Sequence, residues 1–138
     1  MRQFHHNLTV ETRRQGLLEI TRFVIEALGA SGIETGLLTL FCRHTSASLL
    51  IQENAAPTAR ADLERYFAQI APESDTYQHD EEGADDMPAH LRAALTAVQL
   101  SIPIVDGSPM LGTWQGIYLF EHRRRPHRRE IVLHVIGD

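Results

Sequence analysis

His44, His79 and His90 each stand in a short stretch crowded with chemically able side chains. Neutral imidazole is the commonest transition-metal ligand and titrates near physiological pH, so three of them beside carboxylates mean either a metal site or acid–base chemistry. His44 opens the run His44-Thr45-Ser46-Ala47-Ser48, which leads into Gln52, Glu53 and Asn54. Alone, His44 would read as a hydrogen-bonded core residue, since it shares strand parity with Leu38, Leu40 and Cys42. Its neighbours shift the balance: hydroxyls, an amide and a carboxylate gather where a strand gives way to irregular backbone, a common place for sites. His79 and His90 bracket the acidic loop Asp80-Glu81-Glu82-Gly83-Ala84-Asp85-Asp86. An imidazole on a loop and another on the following helix can converge, with a nearby carboxylate ligating or orienting them. The spacing is not that of a zinc finger or an H-E-x-x-H helix. For Asp85 and Asp86, helix capping is as good a reading as catalysis, and the two are compatible.

The elements that must carry these groups are legible from periodicity. Residues 3–11 alternate as a half-buried strand. Leu17, Ile20, Val24, Ala27 and Leu28 follow helical spacing, with Gly29 and Gly32 ending the helix. Residues 35–43 form an apolar strand that delivers His44, and Leu49-Leu50-Ile51 is a further extended piece. Pro57 starts a helix whose stripe is Leu63, Tyr66, Phe67 and Ile70, closed by Pro72. A short helix runs from about Asp85 and Asp86, ahead of Pro88, to Ala97. Val98–Val105 is a strand that Pro103 confines to an edge or bulge, and Asp106-Gly107 marks a turn. Residues 111–122 and 130–136 are two more strands. In the first, Trp114, Gly116, Tyr118 and Phe120 share a parity expected to form core or subunit interface. Gln115 and Glu121 lie on the other parity and could face a site together. Strands near both termini with helices between them indicate an α+β domain with a mostly antiparallel sheet and two or three helices.

The 138 residues are one domain by size, with 43% apolar and 22% charged residues, ordinary for a soluble protein. No stretch approaches a membrane span and the N-terminus lacks the apolar run of a signal peptide. Cys42 is alone, so no internal disulfide forms and a cytoplasmic home is expected. All 13 basic residues are arginine, which excludes Schiff-base chemistry on a lysine. The net charge of −5 argues against general nucleic-acid binding. Five arginines lie in Arg123-Arg124-Arg125-Pro126-His127-Arg128-Arg129. A solvated hairpin tip is the leading reading of that run, ahead of an anion site for phosphate.

HTSAS followed by Glu53-Asn54, YQHDEEGADDMPAH at Tyr77–His90, PIVDG at Pro103–Gly107 and LGTWQGIYLFEHR at Leu111–Arg123 together resemble the YjbQ family. The four motifs fall in order over nearly the whole chain. Ala97 departs from the glycine often found after the His90 helix, a position at a helix end. The resemblance implies a compact α+β fold assembled as a homotrimer, with the site near subunit contacts and His44, His79 and His90 together binding a metal ion. It also implies secondary thiamine-phosphate synthase activity, which joins hydroxymethylpyrimidine diphosphate to the thiazole phosphate with loss of diphosphate. Three imidazoles favour zinc, whereas magnesium is the usual helper of diphosphate departure. Hydrolysis of a phosphorylated small molecule, or metal and ligand binding without catalysis, are therefore the alternatives. For an enzyme, Glu53 or Asp86 is the expected proton carrier. Ser46, Ser48, Asn54 and Gln115 would position polar substrate groups, and Arg123–Arg129 would attract phosphate.

Overall fold

The computed structural model describes all 138 residues. Eleven elements follow in chain order: β1 (Arg2–Thr12), β2 (Gly16–Glu19), α1 (Thr21–Ser31), β3 (Gly36–Cys42), β4 (Ala47–Glu53), α2 (Pro57–Ile70), α3 (Asp86–Leu95), β5 (Gln99–Val105), β6 (Ser108–Pro109), β7 (Gln115–Glu121) and β8 (His127–Gly137). The strands form a five-stranded sheet ordered β1-β8-β3-β5-β6 and a three-stranded sheet ordered β2-β7-β4. Every pairing is antiparallel. The expected α+β domain is thus observed, with three helices of the two or three expected.

The two sheets enclose one core. Leu38, Leu40 and Cys42 of β3, Ile102 and Ile104 of β5, and Ile131, Leu133 and Val135 of β8 point into it. They meet Ala47 and Leu49 of β4, Ile117 and Leu119 of β7, and Val24, Ala27 and Leu28 of α1. The other face of the small sheet carries Leu17, Tyr118 and Phe120, covered by Leu63 and Phe67 of α2. β7 is therefore buried on both faces, which explains its unbroken Ile117-Tyr118-Leu119-Phe120 run. Residues just before β5 tie the sheets together: Leu49 N–H donates to the Ala97 carbonyl at 2.6 Å and Cys42 N–H to the Val98 carbonyl at 2.7 Å. Asp106 and Gly107, with φ of 51° and 70°, make the tight turn from β5 to β6 that the sequence marks. Only the last two residues of β5 pair with β6, so Pro103 lies where the strand is an edge.

Several local expectations differ from the structure: the strand expected over 111–122 begins at Gln115, and the helix expected to reach Ala97 ends at Leu95. Leu17 belongs to β2 rather than to the first helix, because pairing with Phe120 across β7 outweighs its helical spacing. Gly29 lies within α1, and Gly32 alone is the left-handed cap at φ 66°. On α2, Tyr66 and Ile70 are exposed, and Leu63 and Phe67 are the apolar side chains packed against the core.

Candidate metal centre

The hinge of the site is the start of α3. Asp86 opens this helix and His90 follows one turn later, so both side chains lie on one face. The loop before the helix returns His79 to that face. Asp86 Oδ2 lies 2.8 Å from His79 Nε2 and 3.5 Å from His90 Nε2. The imidazole rings stand edge to face, 5.3 Å between centroids. One ligand atom from each of the three residues falls within 4.8 Å of the others. Asp86 is 2% exposed while the His79 side chain is 51% exposed, so the group opens to solvent on the His79 side.

The carboxylate is fixed from behind by Arg123. Its Nη1 donates to Asp86 Oδ1 at 2.8 Å, its Nε to Asp85 Oδ2 at 3.1 Å and its Nη2 to the Glu82 carbonyl at 2.8 Å. Burial would raise the Asp85 pKa, but the Arg124 N–H and the Arg123 guanidinium prevail and hold it below the usual carboxylate range. Asp85 therefore serves as an anchor for the β7–β8 connection. Neither Asp85 nor Asp86 uses its side chain to cap α3 as expected.

The arginine-rich segment is likewise largely committed within the chain. Arg123 secures the acidic loop, Arg124 pairs with Glu73, and Arg129 is 3% exposed against Glu121. Arg129 Nε donates to Glu121 Oε1 at 2.8 Å and its Nη2 to Glu121 Oε2 at 2.5 Å. Thr12 Oγ1 adds a bond to Glu121 Oε1 at 2.6 Å. Burial would raise the Glu121 pKa; the donors from Arg129 and Thr12 win and keep it low. This buried pair was missed from sequence, although a signal existed. Arg129 has the parity of Ile131, Leu133 and Val135, so extending the alternation of the last strand toward the N-terminus by one inward position places it inside.

The other candidate residues are not gathered around His79, Asp86 and His90. His44 is absent from that group; its Nε2 accepts the Glu130 N–H at 2.8 Å. Burial and then Arg129 lower its pKa, keeping it the neutral acceptor that this bond requires. Ser46 accepts from Arg129 Nη2 through its carbonyl and its hydroxyl. Ser48 is fully buried against His122 and Thr96, so it binds the core and not a ligand. Glu53 Oε2 accepts the N–H groups of Ala55 and Ala56 and shapes the entry to α2. Asn54 Nδ2 donates to the carbonyls of Thr113 and Gln115, and Gln115 Oε1 accepts the Gly112 N–H, closing the glycine-rich turn on itself. Gln115 and Glu121 do not face one site, and Trp114, 64% exposed within one chain, lies outside the core. Cys42 Sγ contacts the Ala47 carbonyl, and burial pushes its thiol up to about 11.

His79 from the loop and Asp86 and His90 from the first turns of α3 form a His-Asp-His cluster on a small two-sheet antiparallel scaffold. The comparisons name that scaffold: residues 6–138 match the family described as UPF0047 protein YjbQ-like, and the chain belongs to this family. It is 50% identical to the UPF0047 protein of Synechocystis over 99% of this chain and 94% of that one. It is 43% identical to YjbQ of Salmonella typhimurium, covering 98% and 99%. Among solved structures, a YbjQ-like protein of Sulfolobus solfataricus superposes with a TM-score of 0.92 at 25% identity, over 99% of each chain. A conserved hypothetical protein of Thermus thermophilus gives 0.84 at 36% identity, over 95% and 99%. No helix is long and apolar enough to cross a membrane.

Proposed function

We propose that this chain is a metal-dependent enzyme acting on a phosphorylated small molecule, working as a homotrimer in the cytoplasm. The observation that carries this reading is the convergence of His79, Asp86 and His90 within 4.8 Å. Nitrogen donors beside one carboxylate suit zinc or a related transition ion better than magnesium, which prefers oxygen ligands and keeps its waters. When bound there, such an ion supplies Lewis-acid polarisation of a phosphoryl oxygen or lowers the pKa of water. His79 and His90 would hold it through Nε2 and Asp86 through Oδ2, while Arg123 keeps the carboxylate aimed. Asp86 thereby fits a ligand better than a proton carrier. Within one chain Glu53 pairs with Gln115 at the end of β7 away from Arg123, so as proton carrier it would reach the metal centre of a neighbouring subunit, through the Oε1 that its helix-entry bonds leave free.

The family resemblance suggests the reaction: joining of hydroxymethylpyrimidine diphosphate to the thiazole phosphate with release of diphosphate. The imidazole-rich donor set favours a second reading, hydrolysis of a phosphorylated small molecule by activated water. For His44 to join the other histidines, either a neighbouring subunit must bring it or its Glu130 bond must break. Elemental analysis of purified protein tests the centre. His79→Ala, Asp86→Asn and His90→Ala should lose bound metal; equal content in all three and in the parent protein defeats the reading. Loss of metal in His44→Ala as well would place the site between subunits. Turnover is then measured on a panel of phosphorylated substrates with defined metals. A positioned general base contributes roughly 10²–10⁴-fold, so Glu53→Gln should lose activity on that scale with metal intact. No turnover on any substrate would favour a metal-binding protein without catalysis.

A further inference from the structure

Arg92 is a buried cation that no ion pair in the chain includes. It lies on α3 two residues beyond His90 and is 8% exposed. One Nη2 hydrogen goes to the Ala71 carbonyl at 3.1 Å, and Nε–H has no partner. Arg129, comparably buried, shows what the fold does elsewhere: the Nε–Nη2 edge of that guanidinium is paired with both carboxylate oxygens of Glu121. An uncompensated buried charge is costly, so a native guanidinium in this position calls for an anion from outside the chain.

There is room for one. Arg92 lines a cleft of about 180 Å³ together with Gln15, Gly16, Glu64, Ala68 and Phe120. The polar neighbours are already committed: Gln15 Nε2 donates to the His122 carbonyl and Glu64 Oε1 accepts the Leu17 N–H. Asp85 and Tyr77 act on Arg92 only from beyond contact, and burial holds His122 neutral. Glu64 is the one acid in the wall, so a ligand would sit toward Arg92 and away from it. The volume suits a single oxyanionic group, not an entire nucleotide. A guanidinium edge matches such a group through paired N–H donors.

We infer that this cleft is a subsite for a small oxyanion, a phosphate or carboxylate group, gripped by Arg92. The inference goes beyond the metal centre and stands without it. The test uses the full chain, stripped with chelator so that binding to metal does not contribute, and titrated with inorganic phosphate at constant ionic strength. Phosphate should broaden the ³¹P resonance saturably and raise the melting temperature above a chloride control. Arg92→Met should weaken that response roughly 10–100-fold, the worth of charge-assisted hydrogen bonds. Arg92→Lys, which keeps the charge without the fork, should retain part of it and serves if the methionine variant misfolds. Acetate run in parallel distinguishes a carboxylate from a phosphate subsite. Absence of a saturable response to either anion in the parent protein, or an undiminished response in both variants, overturns the inference.

Discussion

Ser48, Thr96 and His122 form a buried polar cluster: Thr96 Oγ1 lies 2.6 Å from Ser48 Oγ and 2.8 Å from the Arg92 carbonyl oxygen, and Ser48 Oγ lies 2.8 Å from His122 Nε2. His122 Nδ1 is buried with no hydrogen-bond partner. Burial first, and then Arg92, lower the His122 pKa to about 3. The unfolded imidazole takes its proton near 6.5 while the folded one refuses it until about 3. Stability should therefore fall as pH drops through that window, by up to ~1.4 kcal/mol per pH unit, with no contribution above it. Glu121 adds to the loss at lower pH, because its depressed folded pKa gives stability that disappears as the carboxylate is protonated. Urea unfolding at a series of pH values should show a flatter slope between about 6 and 4 in His122→Gln than in the parent protein; identical slopes would refute this. At this scale the sequence reveals donor spacing better than commitment. Asp86 and His90, a helical turn apart, are visible as a pair. That Ser48, Gln115 and His44 spend their polar atoms on the fold depends on partners tens of residues away.

Close packing of β3 against β8 explains two glycines that a strand would otherwise avoid. Gly36 and Gly137 face one another in register. A Cβ on Gly137 would fall on the Thr35 carbonyl oxygen and on Gly36 Cα, which are backbone atoms with no rotamer to yield. Gly137→Ala should lower stability by about 1–3 kcal/mol through overpacking. Gly29 is the contrast: it sits in α1 with nothing near its absent Cβ. Gly29→Ala should raise stability by roughly 0.5–1 kcal/mol, and both effects can be read by chemical denaturation. A reversal of either sign would mean that the local packing differs from that described. Element type was readable wherever one face is buried and the other wet, as in β1 and β8. It was less so for Leu17 and Leu18, whose spacing suits helix and strand alike until β7 is available as a partner. Tyr66 and Ile70 misled for a related reason: helical periodicity identifies a stripe but not how much of it has a surface to meet.

On the whole molecule, the outer face of the five-stranded sheet bears Leu37 and Phe41 of β3 beside Val105 of β5, all more than a third exposed. Trp114 and Met110 extend the exposed apolar surface near the β6–β7 connection. The proposed trimer would bury these side chains. Light scattering should report a trimer at micromolar concentration, and Phe41→Glu should shift it toward monomer; a monomeric parent protein would reject the proposal. Subunit number came from the family resemblance alone, because composition does not encode symmetry. Strand order has a consequence for synthesis. β8 is the sole partner of β1 and also supports β3, while β7 joins β2 to β4. More than a hundred residues separate β1 from β8. At ribosomal speeds of about 5–20 residues per second, β1 waits on the order of ten seconds for its neighbour. The nascent chain therefore emerges with neither sheet complete, and its hydrogen-bonding edges are open to other chains until β7 and β8 arrive.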